Sequence, residues 1–380
     1  MLAMPEWVKV RIVPQTMGYR ASDIPPPIVA PAEPVRLLIA PANYAAQGRL
    51  WARAAETLPG VGARNLVITR PGAFGFASDF TVTEHVATVS PRWARGQRRA
   101  VGSFTHALIE AERPILGGAF GGDIVREARA LRAAGVSVAY VSHGSDLRLP
   151  SRHAPLEPWS PFRDEDWPLL PALESQAAAN AEALRAIGAP VFIATPELLI
   201  DYPEATWLPN VVDPQRWHTD APVLAGPTPV ALHIPTSEVI KGTALIEPAM
   251  RALEAEGVVQ YEQPTGIPPA EMPALLAGVD IVLEQFRLGI YSTTAIEAMA
   301  AGRIVVAHVS ERVRAHVAET IGVAVPIVEA TPDTVGAVLR EIVADPDRYR
   351  EIASRGPEFV RAAHDGRYSA GVLKDFLTTT

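Results

Sequence analysis

Three short stretches put a charged or ring-nitrogen side chain just after an apolar run, where backbone and side chain can act on one ligand. In LHIPTSEVIKGTALIEPAM (232–250) an apolar run ends near His233, a turn carries Thr236 and Ser237, and Lys241-Gly242-Thr243 opens a helical pattern. A lysine there neutralises a diphosphate while the first N–H groups of the helix complete the site; the plainer reading is a solvated lysine before a Gly-Thr cap. In VDIVLEQFRLGIYSTTAIEAMAAG (279–302) a buried strand leads through a loop containing Gly289 into a helix with Glu297 in its second turn. A loop entering a helix holds phosphate through its N–H groups and dipole, and a carboxylate one turn on can grip ribose hydroxyls. Together these residues outline a nucleotide-sugar pocket. The third stretch, VSHGSDLRLP (141–150), sets His143 behind another strand, poised for proton or hydroxyl chemistry or, more plainly, a structural hydrogen bond. Beside it, Asp146 and Arg148 are expected to pair with each other or to cap.

The elements that must position these groups alternate along the chain. Val35 to Ala40 reads as a buried strand, PANYAAQG as its loop, and Leu50, Ala54 and Leu58 as one helix face. Further strands are expected at 65–69, 114–116, 136–141 and 191–194, with a helix over 123–134 closed by Gly135. After a pause at LPNVVDPQRW (208–217) a second series begins: strands at 229–233, 258–261, 279–283, 304–307 and 323–328, with a helix carrying Leu245, Ile246, Ala249, Met250 and Leu253. Beyond Asp347 the pattern is helical. Such alternation predicts parallel sheets covered on both faces, and 380 residues exceed what one core usually organises. The expected fold is therefore α/β with two domains facing a cleft, ligands lying at the carboxyl ends of the strands. Residues 1–34, with Pro25, Pro26, Pro27, Pro31 and Pro34, form a proline-rich arm, extended on the surface or poorly ordered.

Composition excludes several chemistries. The chain has no cysteine, so disulfides, thiolate metal sites and cysteine nucleophiles are absent. A formal net charge of −8 argues against broad binding to nucleic acid or anionic membranes. No apolar run approaches the roughly 18 residues of a membrane span, and MLAMPEWVKVRIV lacks a signal-like apolar core, so a cytoplasmic location is expected.

Lys241-Gly242-Thr243, the Glu297 segment and the hinge-like LPNVVDP together resemble the second half of the GT-B glycosyltransferases, in the large retaining family that includes sucrose and glycogen synthases and many bacterial sugar transferases. APANYAAQGRLWARAAETL and VSHGSDLRLP resemble that family's first loop and its histidine-glycine segment, so the likeness runs from about residue 35 to the closing HDGRYSAGVLKDFL. The resemblance implies two Rossmann-like domains around a central cleft: an acceptor-side domain over 35–215, a nucleotide-sugar domain over 216–355, and closing helices over 356–380 packed back on the first domain. It implies transfer from a nucleoside diphosphate sugar (UDP or GDP) to an unidentified acceptor, with retention and without a metal or other cofactor. By the same resemblance Lys241 meets the diphosphate, and Ser292, Thr293 and Thr294 offer backbone to the phosphates, with Tyr291 beside them. Glu297 holds the ribose, His143 lies near the transferred sugar, and Asn43, Gln47 and Gly48 line the acceptor wall. Tyr261 to Gly266 would surround the base.

Two positions depart from the family pattern. Thr236 stands where an arginine is usual, and Gly289 where a glutamate usually faces the sugar. Losing a charged hydrogen bond worth about 1.5–3 kcal/mol costs about ten- to a hundred-fold in affinity. Glu284, Gln285 or Arg287 would be the substitutes for the missing glutamate, unless Glu284 pairs with Arg287. The departures keep open a binding or scaffold protein without transferase activity. An epimerase or coupling enzyme of the same fold remains a further rival.

Two charged runs remain. Asp164-Glu165-Asp166 imitates a carboxylate pair for a divalent metal, but its proline-rich setting favours a solvated loop. His308 and His316 are too far apart in sequence to argue for a metal. Arg92-Trp93-Ala94-Arg95-Gly96-Gln97-Arg98-Arg99 is either a solvated face or a place where arginines meet phosphate on an acceptor; nucleic acid, and with it a DNA-modifying sugar transferase, is the less favoured form of that reading. Oligomeric state is not legible in the sequence.

Overall fold

The computed structural model describes residues 5–12, 14–164 and 166–378. Among them, twelve strands form two sheets, and every strand pair is parallel. The first sheet contains β1 (Val35–Ala40), β2 (Val61–Thr69), β3 (Phe80–Thr83), β4 (His106–Glu110), β5 (Ser137–Ser142), β6 (Val191–Ile193) and β7 (Thr206–Trp207), in the order β3-β2-β1-β4-β5-β6-β7. The second contains β8 (Val230–His233), β9 (Gln260–Glu262), β10 (Ile281–Leu283), β11 (Ile304–Ala307) and β12 (Val328–Glu329), in the order β12-β11-β10-β8-β9. Both are doubly wound, and the winding reverses between β1 and β4 in one sheet and between β8 and β10 in the other. Ligands of open α/β sheets sit at such reversals, beyond the strand ends.

Apolar side chains alternate between the faces, so each sheet is covered twice. Leu37 and Ile39 enter one core with Trp51, Leu108 and Phe192, while Leu38 and Ala40 enter the other with Ile109 and Tyr140. In the second sheet Ala231, Ile281 and Leu283 pack with Ile246 and Met250, while Leu232 and Val282 join Ile296 and Met299 on the opposite face. The final helix, Arg367–Thr378, covers the first sheet with Leu373, Phe376 and Leu377, and packs on the helix Gln47–Ala55. The described residues thus begin and end on the same half.

Several elements differ from the sequence reading. Residues 114–116 form no strand; the fourth strand is His106–Glu110, whose three-residue apolar run is bounded by a buried His106 and Glu110. The edge strand Phe80–Thr83 is short and half polar, and gave no signal. Residues 323–328 are mostly irregular, with only Val328–Glu329 in the sheet. Strand β2 starts four residues before Asn65, and β9 is displaced to 260–262.

The described part of the proline-rich arm is docked, not free. Val10, Tyr19 and Ile28 are buried in the first half's core. Glu6 accepts hydrogen bonds from Tyr19 Oη, Ser90 Oγ and the Arg92 amide. Residues 1–4 and 13 of the arm, and 379–380 of the closing helices, lie outside the described residues.

The segment between the sheets is tied on both sides. Gln47 bonds Val211 through both ends of its amide, Trp51 Nε1 and Ser369 Oγ donate to the Pro209 carbonyl, and His364 bonds the Asn210 carbonyl.

Candidate active site

At the reversal of the second sheet, the short helix Glu238–Lys241 follows β8 and ends in Gly242, whose φ of +82° turns the chain into the helix Thr243–Ala255. Left-handed backbone suits glycine, and a Cβ here would lie 2.8 Å from Arg287 Cγ. This turn aims Lys241 inward, so its ammonium is buried between the Glu284 carboxylate and Ser292 Oγ, 2.8 Å away. Glu284 leaves the end of β10 and also accepts from the Ser292 amide and hydroxyl. An ammonium has three N–H donors, so one remains after these two partners.

Ser292 precedes the helix Thr293–Ala300, but its side chain is engaged with Lys241 and Glu284 and does not cap that helix. The first N–H groups of a helix lack internal acceptors, so this terminus presents free donors and positive dipole beside Lys241. One turn on, burial pushes the Glu297 carboxyl up to about 8, with Glu284 adding to the rise and Arg216 opposing it. Lys241, Glu284, Ser292 and Glu297 are thereby brought together. Glu284 pairs with Lys241, not with Arg287.

The other expected donor residues divide. Thr293 Oγ1 accepts from Asn210 Nδ2 at 3.3 Å, Thr294 is half-buried on the first turn, and Thr236 is exposed before the lysine helix. Tyr291 is buried and its hydroxyl meets His364 Nε2 at 3.2 Å, so it anchors the closing helices and offers no side chain to a ligand. Tyr261 is likewise buried on β9, its hydroxyl donating to Gln263.

Gly289 has φ +65°, and a Cβ there would meet Glu157 Oε1 at 2.7 Å. A carboxylate does occupy this place, but it arrives from the first half of the chain. The other oxygen of Glu157 binds His308 Nε2 at 2.9 Å, and His308 Nδ1 meets Glu329 at 2.7 Å. Burial alone would lower the His308 imidazole, but these two carboxylates outweigh it and raise it to about 9. Sequence reasoning missed Glu157 because nothing in its neighbourhood marks it; only the packing of the halves does.

At the reversal of the first sheet, Glu110 ends β4 fully buried and accepts the amides of Ala42 and Asn43 at 3.0 Å. His143 follows β5, its Nε2 3.4 Å from Glu110 Oε1 and its ring edge-on to Tyr44 at 5.1 Å. Asp146 caps the turn by accepting the amides of His143 and Gly144, while Arg148 pairs with Glu197. Non-glycine residues Asn43, Ala45, Ala46, Ala111 and Glu112 all have positive φ here, a local strain typical of functional sites. Burial, followed by the nearby Asp146, raises the Glu112 carboxyl well above its ordinary range, although Ser142 Oγ donates to it.

Asn43, Gln47 and Gly48 sit inside this structure and line no open wall. Asn43 bonds Ala77 and Arg49, Gln47 bonds Val211, and a Cβ on Gly48 would strike Asn65 and Glu110.

The strand ends of the two sheets face one another through residues 150–164. Arg287 forms two 2.7 Å bonds to the Asp164 carboxylate and also bonds the Trp159 and Ser160 carbonyls. His153 bonds the Leu288 carbonyl, and burial together with Arg148 lowers its imidazole to about 4. Asp164 is therefore an ion-pair partner across the halves; Glu165 lies outside the described residues. Among the described residues no three His, Asp or Glu side chains gather as a metal site, and no helix is long and apolar enough to cross a membrane.

Two facing, doubly wound parallel sheets with such strand ends define the GT-B fold. The same arrangement is found in sucrose-phosphate synthase from Thermosynechococcus elongatus, at 12% identity and TM-score 0.57 over 92% of this chain and 98% of that one. It is found in Anabaena HepE in complex with UDP and glucose, at 12% identity and TM-score 0.58 over 90% and 99%. A glycosyltransferase from Rickettsia africae matches at 11% identity and TM-score 0.54 over 90% and 98%. Residues 244–374 match a family described as glycosyl transferase-like, so the second half carries that family's sequence pattern on a GT-B glycosyltransferase fold. A search of curated protein sequences gives no match.

Proposed function

We propose that the protein transfers a sugar from a nucleoside diphosphate sugar to an acceptor hydroxyl, with retention at the anomeric carbon and without a metal. The observation that carries this reading is the buried Lys241, held by Glu284 and Ser292 beside the uncapped terminus of Thr293–Ala300 at a sheet reversal. The structural relative HepE was crystallised with UDP-glucose, which makes a uridine donor the first to test.

In this mechanism the diphosphate lies against Lys241 and the N–H groups of residues 293 and 294, while Glu297 takes the ribose hydroxyls. The bond from the anomeric carbon to the β-phosphate oxygen breaks, and its electron pair leaves with the phosphate. Negative charge then grows where the ammonium and the helix terminus already point, so stabilisation is greatest in the transition state. The acceptor oxygen bonds to the anomeric carbon on the same face, and its proton passes to the departing phosphate. Glu157 supplies a carboxylate to the sugar from the opposite half, at the position glycine leaves open. His143 orients the sugar from the first sheet.

Incubation with a panel of nucleotide sugars and chromatographic detection of freed nucleotide tests the reading. Release of UDP, slowed at least about tenfold in Lys241→Ala, is the expected result. Absence of both binding and turnover with every donor would overturn it.

A further inference from the structure

A groove of about 390 Å³ runs between the prolines of the arm and the helix Pro91–Val101, on the layer that covers the first sheet. Pro26 and Pro27 form one wall; Arg92, Arg95 and Arg99 form the other. Their spacing puts all three guanidinium groups on one helix face. All are exposed, and among the described residues none has a side-chain hydrogen bond or an ion pair. Of the arm's carboxylates, Glu6 is engaged by Tyr19, Ser90 and the Arg92 amide, and Asp23, next in sequence to the lining Ile24, accepts the Arg20 amide and the Ser22 hydroxyl. Gln97 reaches the groove from below, donating to the Ile115 carbonyl and leaving its Oε1 without a partner.

Three like charges on one face repel, whereas other arginines of this acidic chain are answered by carboxylates, as Arg287 is by Asp164 and Arg314 by Glu329, or by carbonyls, as Arg303 is. An anion in the groove removes that repulsion, and planar guanidinium groups match phosphate oxygens two at a time. The volume lies within the range of small-ligand sites, and the prolines give an apolar wall for the body that carries the phosphate.

We propose that this groove binds an organic phosphate, separately from the Lys241 site. The phosphate belongs either to a soluble ester or to an anionic lipid headgroup.

The test uses the full chain and two probes: glycerol 3-phosphate by calorimetry, and flotation with phosphatidylcholine vesicles with and without phosphatidylglycerol. Binding to one probe is expected, weakened about tenfold or more in Arg95→Gln/Arg99→Gln. It should be unchanged in Lys241→Ala/Glu284→Gln and in Arg348→Gln/Arg355→Gln, which removes as much positive charge elsewhere. The responding probe identifies the source of the phosphate. Failure of both probes to bind overturns the proposal, as does equal weakening by the two double arginine variants. Both arginine pairs are exposed, so circular dichroism of the variants should match the parent.

Discussion

Lys241 separates binding from folding. In Lys241→Ala the buried Glu284 loses its cation, and removal of one partner from a buried pair costs about 3–5 kcal/mol. Adding Glu284→Gln should recover much of that stability in urea titrations, while affinity for UDP stays at least about tenfold weaker by calorimetry. Recovery of both would move the phosphate contact elsewhere. Glu297 gives a pH signature. Its carboxyl is raised to about 8, so it is largely protonated at neutral pH in the free protein. If the ionised form grips the ribose, affinity for UDP rises from pH 6 to about 8, and Glu297→Gln flattens that rise. The stability carried by the neutral carboxyl is full below the ordinary value of 4.5 and is lost as pH climbs through about 8. Above that pH Glu297→Gln should melt higher than the parent. His143 was legible because it follows an apolar run directly, and Lys241 and Glu297 because each lies on a helix reached from such a run by a turn or loop; Glu157, Glu110 and Glu112 were not, since their roles rest on what packs against them.

The loop between β10 and the helix Thr293–Ala300 is shaped by Gly289. Gly289→Ala meets both a positive φ and the Glu157 carboxylate, so a loss of roughly 1–3 kcal/mol is expected in denaturant unfolding. Glu157→Ala in the same chain should relieve the contact but leave the backbone strain; full recovery would show that φ costs nothing here. Strand recognition follows similar physics. Runs buried on both faces, such as Leu37–Ala40, Val138–Val141 and Ile304–Ala307, announce themselves by composition alone. His-Ala-Leu-Ile-Glu in β4 hides its strand because its two ends are polar groups used inside the fold. The Arg92–Arg99 run was visible as charge, but its proline wall was not, because 65 or more residues separate them in the chain.

At the scale of the molecule, the halves are clamped by Arg287 on Asp164 and by His308 between Glu157 and Glu329. Transferases close to exclude water and open to release product, so this clamp is expected to set the balance. Arg287→Ala should speed hydrogen exchange in 284–292 and 157–164 and expand the particle in small-angle scattering; unchanged profiles would assign closure to other contacts. His308 adds a pH dependence. Its raised value means that the ion pairs contribute fully below about 6.5 and are lost as pH rises through about 9, so the parent should loosen over that range while His308→Gln should not.

By itself the sequence determined the two alternating series, the parallel covered sheets and the lysine, histidine and glutamate that follow their strands, because burial on two faces and helix starts are local patterns. The tertiary structure alone decided that Glu284 answers Lys241, that Glu157 fills the place of Gly289, and that Asn43, Gln47 and Gly48 are buried. These are contacts between segments distant in sequence, and their partners are chosen by how the two sheets meet.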